Sequence, residues 1–229
     1  MTITSPHNPK LKDLRRLARR RDGRFVAEGE DLLAAADAAG WPARARFVAA
    51  GAGLEGEEVE PDVLARVSAL GSGTRAIGVY DERWAQPAGP RCVALWGVGD
   101  PGNVGTIVRG ALAFGASSVA LGPHCADPFG PRAVRASMGA IFAVPVARVT
   151  EVADLPGERV ALVARAGEPI GDALAADATI VVGAEREGLP DGVVAACDRV
   201  AHIPIASESL NAAMAATVAL YELSRVHAR

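Results

Sequence analysis

The sequence predicts an α/β protein in two parts: a small α/β unit over residues 1–84 and a parallel-sheet α/β domain over 92–229, joined by a linker at 85–91. Three observations predict it. Half of the 229 residues are apolar, enough to bury a sizeable core. Apolar runs of strand length at 92–96, 118–121, 160–164 and 179–182, with a shorter one at 200–203, are separated in several places by helical stretches. Runs that are hydrophobic on both faces suit a parallel sheet covered on both sides. Between Asp81 and Arg91 the chain passes through Gln86, Pro87, Gly89 and Pro90 with no hydrophobic period, as a linker does.

In the first part, Asn8 before Pro9 marks a helix start, because the Asn side chain can cap free N–H groups and Pro suits the first helical position. Leu11, Leu14, Leu17 and Ala18 fall on one stripe and Arg15, Arg16, Arg19 and Arg20 point elsewhere, so the helix has a basic outer face. Residues 28–39 read as a second helix ending at Gly40, 45–50 as a strand, 61–70 as a helix and 76–80 as a strand. Net charge is −3, yet residues 1–24 hold eight Lys/Arg against two Asp. That basic end, with Lys10, Lys12, Arg15, Arg16, Arg19 and Arg20, is the candidate nucleic-acid contact, since such clusters attract phosphate backbones without reading sequence. A solvated helix face would look the same.

Several function classes are disfavoured. No apolar run approaches the roughly 20 residues that span a bilayer. The basic start is not followed by an apolar core, so a secretory signal is not expected and a cytoplasmic location is. Cys92, Cys125 and Cys197 are odd in number and show no C-x-x-C pattern, and the four histidines lack ligand spacing, so neither a disulfide framework nor a metal is expected.

The chemistry-bearing segment begins at Leu95 and runs to Gly115. Gly97, Gly99 and Gly102 match G-x-G-x-x-G between a strand and a helix, the setting of a dinucleotide loop. The next strand, however, ends in Gly122-Pro123 where that motif needs an acid to hold a ribose, which argues against a nicotinamide enzyme. A helix is expected over 103–114, capped by Asn103 and closed by Gly115. Its interior Gly105 and Gly110 each cost about 1 kcal/mol relative to Ala, so another backbone or a ligand should approach that face closely. Arg109, one turn after Gly105, could reach outward to a phosphate. Further on, Val181-Val-Gly-Ala-Glu-Arg-Glu-Gly-Leu-Pro190 is a strand entering a turn with free backbone groups, and 202–211 leads through Ser207-Glu208-Ser209 into a long apolar helix with Ser209 as its expected cap.

Asp100, Pro101, Asn103, Gly105, Arg109, Ala111, Phe114 and Gly115 together match the first motif of the SpoU (TrmH-type) branch of the SPOUT RNA methyltransferases, which the chain resembles over essentially its whole length. Arg135-Ala-Ser-Met-Gly-Ala140, Gly183-Ala-Glu185 and Ser209-Leu-Asn211 are similar to that family's later motifs. The resemblance implies an S-adenosyl-L-methionine-dependent transfer of methyl to a ribose 2′-hydroxyl of structured RNA, ribosomal (23S) before transfer RNA. It implies a C-terminal trefoil knot and a homodimer with its sites at the subunit interface. It further implies cofactor binding by Gly183, Ile203 and Leu210, catalytic roles for Arg109, Asn103, Glu185, Ser209 and Asn211, and an RNA contact at Arg135. Arg186 stands where the family usually has a small residue, and the loop from Ile205 to Ser209 is shorter than the family's. A guanidinium does not give up its proton in proteins, so Arg109 is expected to clamp phosphate and stabilise a developing alkoxide rather than act as a base. A catalytically inactive RNA-binding or assembly factor would carry the same motifs without a working pocket.

Overall fold

The computed structural model describes residues 2–19, 22–69 and 73–226. Asn8 Oδ1 accepts from the Lys10 N–H at 2.9 Å and opens helix α1 (Pro9–Arg19), whose Leu11, Leu14 and Leu17 are fully buried. They pack on one face of a four-stranded sheet made of β1 (Arg24–Glu28), β2 (Ala45–Ala49), β3 (Glu57–Val59) and β4 (Ala76–Asp81), in the order β1-β4-β2-β3. Helices α2 (Glu30–Ala38) and α3 (Pro61–Val67) complete this unit. The period-two alternation of strands divides its residues cleanly. Val26, Ile77 and Val79 face α1 and α3, whereas Phe25, Ala27, Ala76 and Tyr80 face α2 and the rest of the molecule.

Two expectations for this unit change. The second helix starts at Glu30, because Glu28 closes β1 and Gly29 at φ 111° turns the chain between them. Glu28 is buried and accepts from Ser68 Oγ at 2.5 Å and the Ala69 N–H at 2.7 Å, so a residue read as helical instead anchors the chain after α3. Helix α3 ends at Val67, and Leu70, where the helix was expected to finish, lies outside the described residues, as do Arg20 and His227.

A seven-stranded parallel sheet follows, built from β5 (Arg91–Trp96), β6 (Ser118–Leu121), β7 (Val146–Arg148), β8 (Glu158–Val163), β9 (Glu168–Pro169), β10 (Ala178–Gly183) and β11 (Arg199–His202). Its order is β7-β6-β5-β10-β8-β11-β9. Val93, Leu95, Ile180 and Val182 face one layer, while Cys92, Ala94, Trp96 and Val181 face the other, which is why the runs read as continuously apolar. The first layer comprises α4 (Pro101–Ala113), α5 (Pro131–Ser137) and α8 (Ala212–Val226). Val193 from α7 (Asp191–Ala195), with Val149, Val152 and Leu155, covers the second. A one-turn helix, α6 (Ile170–Ala173), sits between β9 and β10.

The glycines inside α4 mark where helices meet. A methyl group at Gly105 would lie 2.2 Å from the Ala133 carbonyl oxygen, so α5 rests directly on the α4 backbone. At Gly110 it would lie 3.4 Å from Thr217 Oγ1 of α8. The close approach expected of these positions is thus made at Gly105 by another helix of the chain, whereas at Gly110 the contact is an ordinary one that a methyl group would fit. Helix α4 begins at Pro101, two residues before the expected start, because Asp100 is its cap and accepts from the Asn103 N–H at 2.9 Å. Asn103 is thereby left free for other partners.

The two sheets share one core. The ring of Phe25 lies 4.9 Å from that of Phe129, and those of Trp41 and Tyr80 lie 5.2 and 5.1 Å from that of Phe142. Gly139, at φ 89°, has Ala35 of α2 where a side chain would go, at 2.5 Å. The segment from α5 to Phe142 is therefore the joint between the units, and its Ser137 is buried with its hydroxyl donated to the Val134 carbonyl at 2.7 Å. Residues of the expected linker bond to the large sheet: the Ala85 N–H donates to the Val146 carbonyl at 2.8 Å, and the Ala88 N–H donates to Ser118 Oγ at 2.8 Å.

Candidate active site

Parallel sheets place their loops, and most of their ligand sites, beyond the carboxyl ends of the strands. In this chain a cavity of about 520 Å³ opens there, beyond β8, β10 and β11. That volume suits a nucleoside-sized ligand. Leu162, Val182, Leu189, Ile203 and Leu210 give it apolar walls, and Glu185, Arg186, Glu187 and Glu208 are the charged residues that line it.

The turn after β10 is a small closed hairpin. Ala184 and Gly188 exchange backbone hydrogen bonds at 3.2 and 3.0 Å, and a methyl group at Gly183 would lie 2.3 Å from the Gly188 carbonyl carbon. Gly183 is therefore required by the hairpin folding back on its own strand. The hairpin carries Glu185 at its tip and aims it across the sheet end at α4, where Asn103 Nδ2 donates to Glu185 Oε1. Asn103 Oδ1 in turn accepts from Asn211 Nδ2 at 3.1 Å. The Asn211 oxygen accepts from the Ala213 and Met214 N–H groups at 2.9 and 3.3 Å. Asn211, and not Ser209 as expected, is thus the cap of α8. Ser209 is exposed, lines the cavity and has its carbonyl oxygen bonded by Ser207 Oγ at 3.3 Å.

Three of the five expected catalytic residues, Asn103, Glu185 and Asn211, are therefore linked in one polar chain across residues far apart in sequence, and Ser209 stands beside it. Arg109 is not brought to them. It is exposed on α4 and makes no ion pair or hydrogen bond among the described residues. Near it lies an apolar face formed by Leu112 of α4 and Met214, Val218 and Tyr221 of α8, all exposed, with Phe114 and Tyr221 rings 5.9 Å apart. Gly183, Ile203 and Leu210, expected to hold cofactor, all line the cavity. Residues that sequence reasoning missed are Leu162, Val163 and Ala164 at the end of β8, together with Glu187 and Glu208. The strand-end rule would have pointed to the first three had the strand order been known.

The expected RNA contacts are scattered. Lys10 is paired with Glu57 at 2.5 Å, and Arg16 with Asp13 and Asp22 at 2.6 and 3.2 Å. Arg15 donates to the Pro6 carbonyl at 3.3 Å, Lys12 is exposed, and Arg19 is the last residue of α1. Arg135 faces a separate polar cleft of about 460 Å³ between the units, lined also by Glu28, Glu30, Asp31, Thr74 and Arg75. Among the described residues no group of three or more His, Cys, Asp or Glu could hold a metal ion, and no helix is long and apolar enough to cross a membrane.

The comparisons with known proteins agree with this geometry. Residues 90–221, from the start of the large sheet through most of α8, match the model of the SpoU rRNA Methylase family. A 23S rRNA (uridine(2479)-2′-O)-methyltransferase from Streptomyces viridochromogenes is 38% identical over 55% of this chain, and the match spans only 49% of that relative. An uncharacterized tRNA/rRNA methyltransferase from Synechocystis sp. is 30% identical over 98% of this chain and 93% of its own length. The crystal structure of an AdoMet-bound rRNA methyltransferase from Sinorhizobium meliloti superposes with a TM-score of 0.86 at 30% identity, covering 98% of this chain and 97% of that one. The chain belongs to the SpoU rRNA methylase family.

Proposed function

We propose that this protein methylates a ribose 2′-hydroxyl of structured RNA, ribosomal and specifically 23S RNA first, using S-adenosylmethionine. The observation that carries the reading is the Glu185–Asn103–Asn211 chain, whose Glu185 lines the cavity beyond the strand ends. The cavity fits the cofactor chemically: its apolar walls suit an adenosine, and its carboxylates suit a sulfonium cation. Relatives point the same way, the Streptomyces protein being a 23S rRNA uridine 2′-O-methyltransferase and the Sinorhizobium structure being AdoMet-bound.

The cofactor supplies a methyl group on a sulfonium, and the protein's own residues arrange its acceptor. Gly183, Ile203 and Leu210 hold the nucleoside along the cavity wall. Asn103, fixed from both sides, presents its amide where a hydroxyl must be oriented, and holding two reactants in line supplies much of a transfer rate. Arg109 grips the RNA phosphate and stabilises negative charge developing on the ribose oxygen, while the proton leaves to phosphate or water. Lys12, Arg15 and Arg135 extend the RNA contact.

The functional unit is a homodimer. Leu112, Met214, Val218 and Tyr221 form an apolar face beside a catalytic arginine that has no partner among the described residues, and a second copy seated there covers the one and completes the site around the other. A C-terminal trefoil knot and a cytoplasmic location belong to the same reading. The test is incubation with methyl-labelled S-adenosylmethionine and ribosomal or transfer RNA, followed by nucleoside mass spectrometry. A 2′-O-methylnucleoside from 23S RNA is expected. Label on a base would overturn the ribose assignment, and cofactor binding without transfer to any RNA would favour an assembly factor.

A further inference from the structure

Among the described residues Arg186 is the only cationic side chain lining the cavity, and its neighbours there are the carboxylates Glu185, Glu187 and Glu208. Its position is firmly set. It sits at the tip of the hairpin that Ala184 and Gly188 close with two hydrogen bonds and that Gly183 packs against the end of β10. Yet it is unengaged: Glu185 is bonded to Asn103, and Arg186 makes no ion pair or hydrogen bond among the described residues. A guanidinium beside three carboxylates that pairs with none of them is available to an anion arriving from outside.

If the cavity takes S-adenosylmethionine, as the reading above holds, that anion is part of the ligand. The cofactor carries three charges: a sulfonium, an ammonium and a carboxylate. The cavity's carboxylates suit the first two and repel the third, and its apolar walls offer the carboxylate nothing. The planar fork of an arginine matches a carboxylate through two parallel hydrogen bonds. We propose that Arg186 is the counter-ion for the carboxylate of the cofactor's amino-acid tail. This chain would thus grip that tail through a side chain and thereby discriminate among adenosyl ligands by their carboxylate.

The experiment is isothermal titration of the unmodified protein, Arg186→Ala and Arg186→Lys with two probes, S-adenosylmethionine and its decarboxylated analogue. The unmodified protein should prefer S-adenosylmethionine by roughly tenfold, the scale of one charge-assisted hydrogen bond. Arg186→Ala should lose that preference by weakening S-adenosylmethionine alone, and Arg186→Lys should keep part of it. Equal loss for both probes, or no loss for either, overturns the proposal. Unchanged cofactor affinity with weaker RNA binding would likewise overturn it and make Arg186 an RNA contact. Failure of the unmodified protein to bind either probe would instead remove the cofactor reading on which the proposal rests. Since Arg186 is exposed, all three proteins should unfold at the same temperature without ligand.

Discussion

Helix α1 holds Lys10, Lys12, Arg15, Arg16 and Arg19 within 11 residues, whereas the loops beyond β10 and β11 bring one arginine among three glutamates to the cavity. By charge density the first region is the more conspicuous. By partners the order reverses. Lys10 and Arg16 are paired with Glu57, Asp13 and Asp22, and Arg24 joins the same group through Asp13 at 3.0 Å and Asp22 at 2.8 Å. Those pairs lower Asp13 and Asp22 below the usual carboxylate range, chiefly through hydrogen bonds from Arg16 and Arg24 respectively. At the strand ends Arg186 is unpaired among the described residues and Glu185 is held by a neutral amide. A charge cluster reports where charge is, and only unmatched charge reports where a ligand can be bound.

The sharpest way to break this contrast is to remove the group that organises the strand-end site. Asn103→Ala should lower single-turnover methyl transfer by about 10²-fold or more, the scale of losing one preorganised polar group. Helix α4 should keep its unfolding temperature, because Asp100 and not Asn103 caps it. Turnover within a fewfold of normal would show that Glu185 and Asn211 need no bridge between them.

A smaller effect tests the other half. If pairing silences the α1 cations, the double substitution Lys10→Ala, Arg16→Ala should change RNA affinity by less than about threefold, in keeping with the low worth of exposed ion pairs. The double substitution Lys12→Ala, Arg135→Ala should weaken binding more and lower the slope of log affinity against log salt by roughly 2. Binding measured over a salt series distinguishes them. Equal slopes for both variants would mean that RNA displaces the intramolecular carboxylates and reads total charge after all.

Much of this arrangement was legible in the sequence, though unevenly. Two glycines weaken a helix without local reason and so announced close packing, which is there at Gly105 but not at Gly110, where a methyl group would make only ordinary contact. The start of α4 was misplaced because Asp100 and Asn103 are both good caps, and choosing between them required knowing that Glu185 and Asn211 would claim Asn103. Strand β1 was missed because Glu28, a buried acceptor, reads as the first residue of an acidic helix start. The joint at Gly139 depends on Ala35, a hundred residues away in the chain, and no local pattern encodes such a pairing. Site geometry was illegible for the same reason: it arises from strands whose order is set by non-local pairing.

The smallest predicted effect tests whether paired and unpaired charge can be told apart within the same strands. At the start of β8, opposite the cavity end, Arg159 grips Asp198 at 2.7 and 2.8 Å, and the Arg159 N–H donates to the same carboxylate at 2.8 Å. These bonds hold the Asp198 carboxyl down at about 2, against an ordinary value near 3.8. A lowered folded-state value means that the pair stabilises the fold above about pH 4 and that this contribution is lost as pH falls toward 2. Asp198→Asn should therefore lower the unfolding temperature slightly at neutral pH, and the difference from the unmodified protein should close as the pH is taken from 4 to 2. Cofactor affinity should not change, because this pair sits at the opposite ends of the strands from the cavity. A change in affinity would mean that the sheet transmits strain along β8 and that the two ends cannot be considered separately.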